Sequence, residues 1–238
     1  MKIIDGNGTL EKGGVKALLE EMDRNGVERM VIGPARNFAA VENRTGNSYI
    51  AAAVRRHPDR FTGFAVASPW YGKKAAAELE RARGLGLTGL KIFPALQGFI
   101  LTDPLIFPIM DFAQKADWPV WCAAGAPIAA MPLQLAELAE THPRVRFMMG
   151  YGGFCDFWYD IPDSLNRCPN LWIETSYIHP CQITPWVESC GISKFVFGSD
   201  HPFSSLPLEL KKIGLLKAAI DKDKILGLNI AKFLGGRK

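Results

Sequence analysis

Asp200 and His201 stand side by side in Gly198-Ser199-Asp200-His201-Pro202, an acid and an imidazole closing a strongly apolar run. Apolar and aromatic neighbours raise a carboxylate's pKa toward the range of a general base, and an imidazole titrates near neutrality, so the pair points to proton transfer. Adjacent residues of a strand face opposite ways, and only a bend brings both to one pocket. The bland alternative for Asp200 is a carboxylate satisfied by backbone N–H groups and a cation. Lys91, inside the apolar run at 89–93, supplies the compensating charge that a buried carboxylate needs. It serves equally to neutralise Glu174 on the outside of the sheet or to anchor a substrate carboxylate. Arg36, in Gly33-Pro34-Ala35-Arg36-Asn37, suits bidentate capture of a carboxylate; the alternative is a solvent-exposed loop arginine. His179, shortly after Glu174-Thr175-Ser176-Tyr177, is a second candidate acid or base. Tyr151 offers a phenol to an oxyanion or a carboxylate, or else fills space. His57 and His142 each precede a proline in a helix-to-strand turn and read as structural.

Eight short runs rich in β-branched and aromatic residues must position these groups, at 2–5, 29–33, 61–67, 89–93, 119–123, 146–150, 171–175 and 194–198. They are almost continuously apolar, as strands buried on both faces are. Between them, stretches such as 15–24, 75–83, 107–115 and 133–140 carry apolar residues three and four apart, one face of a helix lying on a sheet. The pattern predicts eight β/α units and a single (β/α)8 TIM barrel over residues 1–238, closed by helices at 208–219 and 222–234. A doubly wound open sheet usually has fewer strands and a reversal point. In such barrels chemistry sits where strands end and βα loops begin. Trp70, Tyr71, Phe93, Phe154, Trp158 and Tyr177 fall around those ends, to wall an aromatic pocket or to pack the core. Gly150, Gly152 and Gly153 resemble a phosphate-binding turn only weakly.

Composition narrows the function classes. With 48% hydrophobic and 22% charged residues the chain can bury a substantial core, which excludes disorder, collagen and coiled coil. The charge, 28 − 24 = +4, is small, and no run of five like charges exists, so no nucleic-acid partner is expected. The N-terminus shows no secretory h-region and the least charged stretch is too short to span a bilayer. A cytoplasmic protein without membrane contact is the expectation, with self-association into a homo-oligomer left open. Cys122, Cys155, Cys168, Cys181 and Cys190 form no C-x-x-C pair and read as reduced thiols, Cys122 and Cys155 lying near the barrel mouth.

Several segments together are similar to one family. Ile3-Ile4-Asp5-Gly6 resembles its first strand, His57-Pro58-Asp59-Arg60-Phe61 its pre-strand turn, and Gly89-Leu90-Lys91-Ile92 its fourth strand. Phe197-Gly198-Ser199-Asp200-His201-Pro202-Phe203 resembles its eighth strand and Leu226-Gly227-Leu228-Asn229 its closing helix. From Ile3 to Leu234 the chain resembles the amidohydrolase-related TIM barrels, which include decarboxylases, hydratases and hydrolases of small carboxylic acids. The resemblance implies that Lys91 points into the barrel.

The departures from that family weigh more than the match. Its first strand carries D-x-H-x-H, two imidazoles that bind a divalent metal, where this chain has Asn7 and Thr9. The fifth-strand histidine falls on Ala123 and the sixth-strand histidine on Tyr151; only the eighth-strand acid remains, as Asp200. An amide, a hydroxyl and a methyl do not hold zinc tightly. The expectation is an amidohydrolase-like enzyme with no metal and no cofactor, a metal-independent hydrolase or decarboxylase of a small carboxylated or aromatic substrate. Asp200 is its expected general base, with His201 and Tyr151 beside it. Asn7, Thr9, Arg36, Lys91, Phe93, Ala123 and His179 are expected to contact the substrate. The rivals are a non-catalytic small-molecule binder that kept the pocket and a metal site rebuilt from Asp200, His201, His179 and Cys122.

Overall fold

A computed structural model describes residues 2–154 and 158–235. Cys155 lies outside the described residues. Eight strands run in chain order, every neighbouring pair parallel: β1 Ile3–Leu10, β2 Val27–Pro34, β3 Phe61–Val66, β4 Gly89–Ile92, β5 Val120–Ala123, β6 Phe147–Gly150, β7 Leu171–Glu174 and β8 Phe195–Val196. The ring closes through main-chain bonds between β1 and the segment that follows β8. The N–H of Gly6 donates to the carbonyl of Phe197, that of Asp200 to Asn7 and that of Thr9 to His201, each at 2.8 Å. The architecture is the (β/α)8 barrel that the spacing predicts.

Around the barrel lie α1 Val15–Arg24, α2 Arg36–Ala40, α3 Asn43–Arg56, α4 Lys73–Gly84, α5 Pro94–Gln97, α6 Phe107–Ala116, α7 Pro132–Thr141, α8 Ile161–Arg167, α9 Pro180–Cys190, α10 Leu206–Gly214 and α11 Asn229–Phe233. Helix α1 forms where the 3.6-residue period is cleanest: Leu18 and Met22, four apart, are its buried residues, and Asn25 ends it by donating to the carbonyl of Glu21 at 2.8 Å. The closing helices differ from expectation. Helix α10 stops at Gly214, and a wide turn over Lys224–Leu228 precedes α11. There the Asn229 amide donates to the carbonyls of Ile192 and Phe195, both at 2.8 Å, tying the terminal segment under β8. Among the described residues no helix is long and apolar enough to cross a membrane.

Strand alternation sorts side chains into two layers. Ile32, Leu90, Val120, Cys122, Phe147, Met149, Ile173 and Phe195 face the helices. Val31, Phe64, Val66, Trp121, Met148 and Val196 fill the inside of the barrel. Continuing the inward parity to the strand ends brings up Gly33, Lys91, Gly150, Glu174 and Gly198. Two of these glycines keep room for charged neighbours: a Cβ on Gly33 would lie 2.6 Å from Lys91 Cδ, and one on Gly198 would lie 2.8 Å from Glu174 Cδ. Cys122 therefore sits behind the sheet, and the expectation that it lies at the mouth is corrected.

Overpacking a close-fitted interior typically costs about 1–3 kcal/mol. Gly33→Ala, which drives a methyl into the Lys91 stem, should destabilise the fold by that amount in urea unfolding; an unchanged midpoint would disprove the contact.

Candidate active site at the barrel mouth

Lys91 leaves the inner face of β4 and is 1% exposed. Its ammonium donates to Asn7 Oδ1 at 2.7 Å and to the carbonyl of Gly8 at 3.0 Å, and it lies 4.6 Å from the centre of the Trp121 ring. Three protons thus meet two oxygens and one π face. Burial pulls the Lys91 pKa down to about 8 in spite of the acids Asp200, Glu174 and Asp5 nearby.

Asn7 reaches the ammonium because β1 carries an extra residue. Asp5 pairs with Met30 and Gly8 with Ile32, so the ladder is broken between them and the bulge aims the Asn7 side chain inward. With Oδ1 on Lys91, the amide presents Nδ2 to Glu174 Oε1 at 3.1 Å and to Asp200 Oδ1 at 3.4 Å. Glu174 also accepts from the N–H of Tyr151 at 2.6 Å and from the N–H and hydroxyl of Ser176 at 2.7 and 2.8 Å. Burial nevertheless raises its pKa to about 8. Asp5 accepts from the N–H groups of Asn7 and Ser199 at 2.9 and 3.0 Å, and burial lifts it to about 7.

Asp200, itself buried, is the member of the cluster that lines a cavity. Its Oδ2 accepts from the Tyr177 hydroxyl at 3.0 Å. Burial raises its pKa to about 6, opposed by the charge of Lys91, the Tyr177 bond, Arg36 and Asn7. Asp200, Tyr151 and Tyr177 all adopt left-handed backbone, with φ of 51°, 57° and 61°. Side chains with a Cβ visit that region at a cost, and such residues concentrate at functional sites. The bonds that hold them come from the cluster: Glu174 receives the Tyr151 N–H, and the Asn7 carbonyl receives the Asp200 N–H.

Above the cluster are two adjoining cavities, of about 230 Å³ beside Asp200 and about 480 Å³ farther out, sharing Arg36, Tyr151 and Phe154 as walls. Arg36, the first residue of α2, is exposed and stacks its guanidinium 4.0 Å above the Phe203 ring. Phe93, buried against Trp121, and Ala123 line the outer cavity, while Tyr177 and Asp200 line the inner one.

Of the residues expected from sequence, the structure brings together Asn7, Lys91 and Asp200 in the cluster and Arg36, Phe93, Ala123 and Tyr151 in the cavity walls. Thr9 is buried and supplies one of the three main-chain bonds that close the ring. His201 points away: the charged groups around it are Glu21 and Arg24 of α1, and burial lowers its pKa. His179 is exposed, with Nδ1 3.0 Å from Cys181 Sγ, and borders a separate cavity with Trp158 and Trp186. Trp70 is exposed, its indole N–H donating to the Gln97 carbonyl. His201, His179 and Cys122 therefore do not gather around Asp200, which removes the rebuilt metal site. Glu174 was expected outside the sheet and lies inside; alternation from inward Trp172 would have found it. Tyr177, read only as an aromatic wall, is a direct partner of Asp200.

Fold and strand-end chemistry together define a TIM barrel of the amidohydrolase type. The amidohydrolase family model matches residues 10–236, and the chain belongs to that family. The 2-amino-3-carboxymuconate-6-semialdehyde decarboxylase of Dictyostelium discoideum is 27% identical over 236 residues, covering 79% of this chain and 65% of that protein. The chain thus spans less than two thirds of the length of that relative. The structure of 5-carboxyvanillate decarboxylase from Sphingomonas paucimobilis superposes with a TM-score of 0.78 at 17% identity, covering 98% of this chain and 99% of that one. Dihydroxybenzoic acid decarboxylase from Polaromonas sp. JS666, with bound manganese and 2-nitroresorcinol, gives 0.74 at 17% identity, covering 100% and 98%.

The donor set of this chain does not fit a divalent metal. Asn7 turns its amide nitrogen, not its oxygen, toward the acids, the Lys91 ammonium occupies the oxygen, and burial keeps the Tyr151 phenol protonated. Among the described residues no three His, Cys, Asp or Glu side chains are arranged to hold an ion. The purified protein should carry well under one equivalent of zinc or manganese by elemental analysis, and chelators should leave its melting temperature unchanged.

Asp5, Glu174 and Asp200 have folded pKa values above their ordinary 3.8 to 4.5. Between about pH 4 and pH 8 the folded chain therefore holds more protons than the unfolded one, and stability falls as pH rises, each acid contributing up to about 1.4 kcal/mol per pH unit. Lys91 adds an opposite, stabilising slope only above about pH 8. Urea midpoints should decrease from pH 5 to pH 8, and Glu174→Gln should flatten that decrease; a parallel profile in the variant would count against the protonated cluster.

Proposed function

We propose that this chain is a metal- and cofactor-independent carboxy-lyase, working as one catalytic domain on a small aromatic carboxylate. The observation that carries the reading is that Asp200, with its pKa near 6, opens into the same cavity as the Arg36 guanidinium, between aromatic walls. The decarboxylases among the similar proteins support the choice of C–C over C–N or C–O cleavage. Among the described residues Asp200 makes no salt bridge, so it is not locked away as it would be in a pocket kept only for binding.

Arg36 holds the substrate carboxylate by a charge-assisted bond, and Phe93, Ala123, Tyr151 and Phe154 flank the ring. Protonated Asp200 delivers its proton to the ring carbon that bears the carboxylate, forming a C–H bond. The C–C bond to the carboxylate then breaks, its electron pair restores the aromatic ring, and carbon dioxide leaves. Asp200, now a carboxylate, acts as a base toward water and recovers a proton, and the hydroxide left behind combines with the released carbon dioxide as bicarbonate. Tyr177 fixes Oδ2 throughout and leaves Oδ1 on the Asn7 amide as the second support.

With 2,6-dihydroxybenzoate as trial substrate, kcat should fall as pH rises through about 6, because the acid form of Asp200 is required. Asp200→Asn should lower kcat by on the order of 100-fold or more with little change in KM. Arg36→Ala should act mainly on KM. Full activity in the Asp200 variant, or activity abolished by chelators and restored by manganese, would overturn the reading.

A further inference from the structure

The two adjoining cavities are chemically unequal, and the inequality names a substrate class. Among the described residues, every lining side chain that can bear charge or donate borders the inner cavity: Arg36 and Tyr151, at its junction with the outer one, and Tyr177 and Asp200. The outer cavity continues beyond Arg36 and Tyr151 along Phe93, Ala95, Leu96, Ala123, Ala126 and Pro127, side chains without a hydrogen-bonding atom. Three alanines there, with Ala124 beside them, keep open a space of about 480 Å³ that larger side chains would close. Among the described residues Arg36 is the cation that lines either cavity, and it faces Phe203 rather than an acid. Lys91 gives no second anchor, because its protons are spent on Asn7, Gly8 and Trp121 beneath the cavity floor.

We propose that the substrate is an aryl monocarboxylate with an extended, uncharged apolar body, such as a fused bicyclic ring, and that Ala95, Ala123 and Ala126 set its size. This class rests on the carboxy-lyase reading of the same site. A single guanidinium pairs with a single carboxylate. A second carboxylate in the outer cavity would lose its water and meet alkyl groups, which opposes binding. An apolar ring there loses only unfavourable contact with water and gains packing. Any ring hydroxyl that activates the substrate for protonation belongs at the inner end, within reach of Tyr177 and Tyr151.

Equilibrium binding by calorimetry tests this without turnover, using 1-hydroxy-2-naphthoate, salicylate and 4-hydroxyisophthalate as probes. The naphthoate should bind at least ten-fold more tightly than either of the others. Ala95→Leu, at an exposed position that tolerates bulk, and independently Ala126→Leu, should weaken the naphthoate ten-fold or more while salicylate changes less than three-fold. Equal or tighter binding of the dicarboxylate, or equal losses for naphthoate and salicylate in both variants, would overturn the proposal. Arg36→Ala separates the two levels: it should weaken all three probes, and if it weakens none, the site reading falls together with the substrate class. Tight, alanine-dependent naphthoate binding without release of carbon dioxide would uphold the class and overturn only the carboxy-lyase step.

Discussion

A single ammonium inside the barrel, that of Lys91, sets the terms for everything at its mouth. A cation removed from water must be surrounded by oxygen or π electrons, and here Asn7 Oδ1, the Gly8 carbonyl and the Trp121 ring provide them. Because the amide oxygen of Asn7 is committed to the cation, its nitrogen is committed to the acids, and the side chain becomes a fixed link between opposite charges. Gly33 and Gly198 follow from the same constraint, since a methyl at either position would enter the volume of Lys91 or Glu174. Burial away from water raises Asp5, Glu174 and Asp200 above the ordinary carboxylate range, and the Lys91 charge only partly opposes this for Asp5 and Asp200.

From that charged floor to the cavity the protein changes character within one residue. Asp200 has one oxygen on Asn7 and the other on Tyr177, and lies where the polar cluster meets aromatic walls. Its left-handed backbone, and those of Tyr151 and Tyr177, are held by main-chain bonds to Asn7 and Glu174 or by the turns that follow the strands. Strain kept in place by a rigid support is a form of preorganisation: the groups need little rearrangement when a ligand arrives. The two basic groups divide the work of charge. Lys91 neutralises from below, sealed from solvent, whereas Arg36 stays exposed over Phe203, where an incoming anion can reach it.

The same family fold also carries a different solution. The Polaromonas decarboxylase structure contains manganese, while the buried cluster of this chain joins an ammonium to two acids through one amide. A fixed ammonium supplies positive charge but, unlike a metal ion, offers no open coordination position for a ligand oxygen. In the proposed reading, recognition of an anion falls to Arg36 and the size of the ligand to the alanines of the outer cavity.

Much of the fold was legible in the sequence because its signals are local. Apolar runs and 3.6-residue periods predicted eight strands and the helices between them, and α1 falls on the predicted 15–24. That Asp200, Lys91, Asn7, Arg36, Phe93, Ala123 and Tyr151 gather at one end of the barrel was also legible, since strand ends in a β/α barrel share one face and the family pattern fixes their register. The errors lie where direction depends on neighbours distant in sequence. His201 is next to Asp200 along the chain, but a left-handed turn at Asp200 and pairing with Thr9 send its ring toward α1. Glu174 faces inward by the parity of β7, and Cys122 faces outward by that of β5. The sequence by itself determined which residue types stand at the strand ends, because periodicity and motif spacing are properties of the chain. Only the tertiary structure decided which of them meet, because the β1 bulge, the ring closure and the link that Asn7 makes between Lys91 and the acids Glu174 and Asp200 are contacts between residues up to almost 200 positions apart, such as the 193 that separate Asn7 from Asp200.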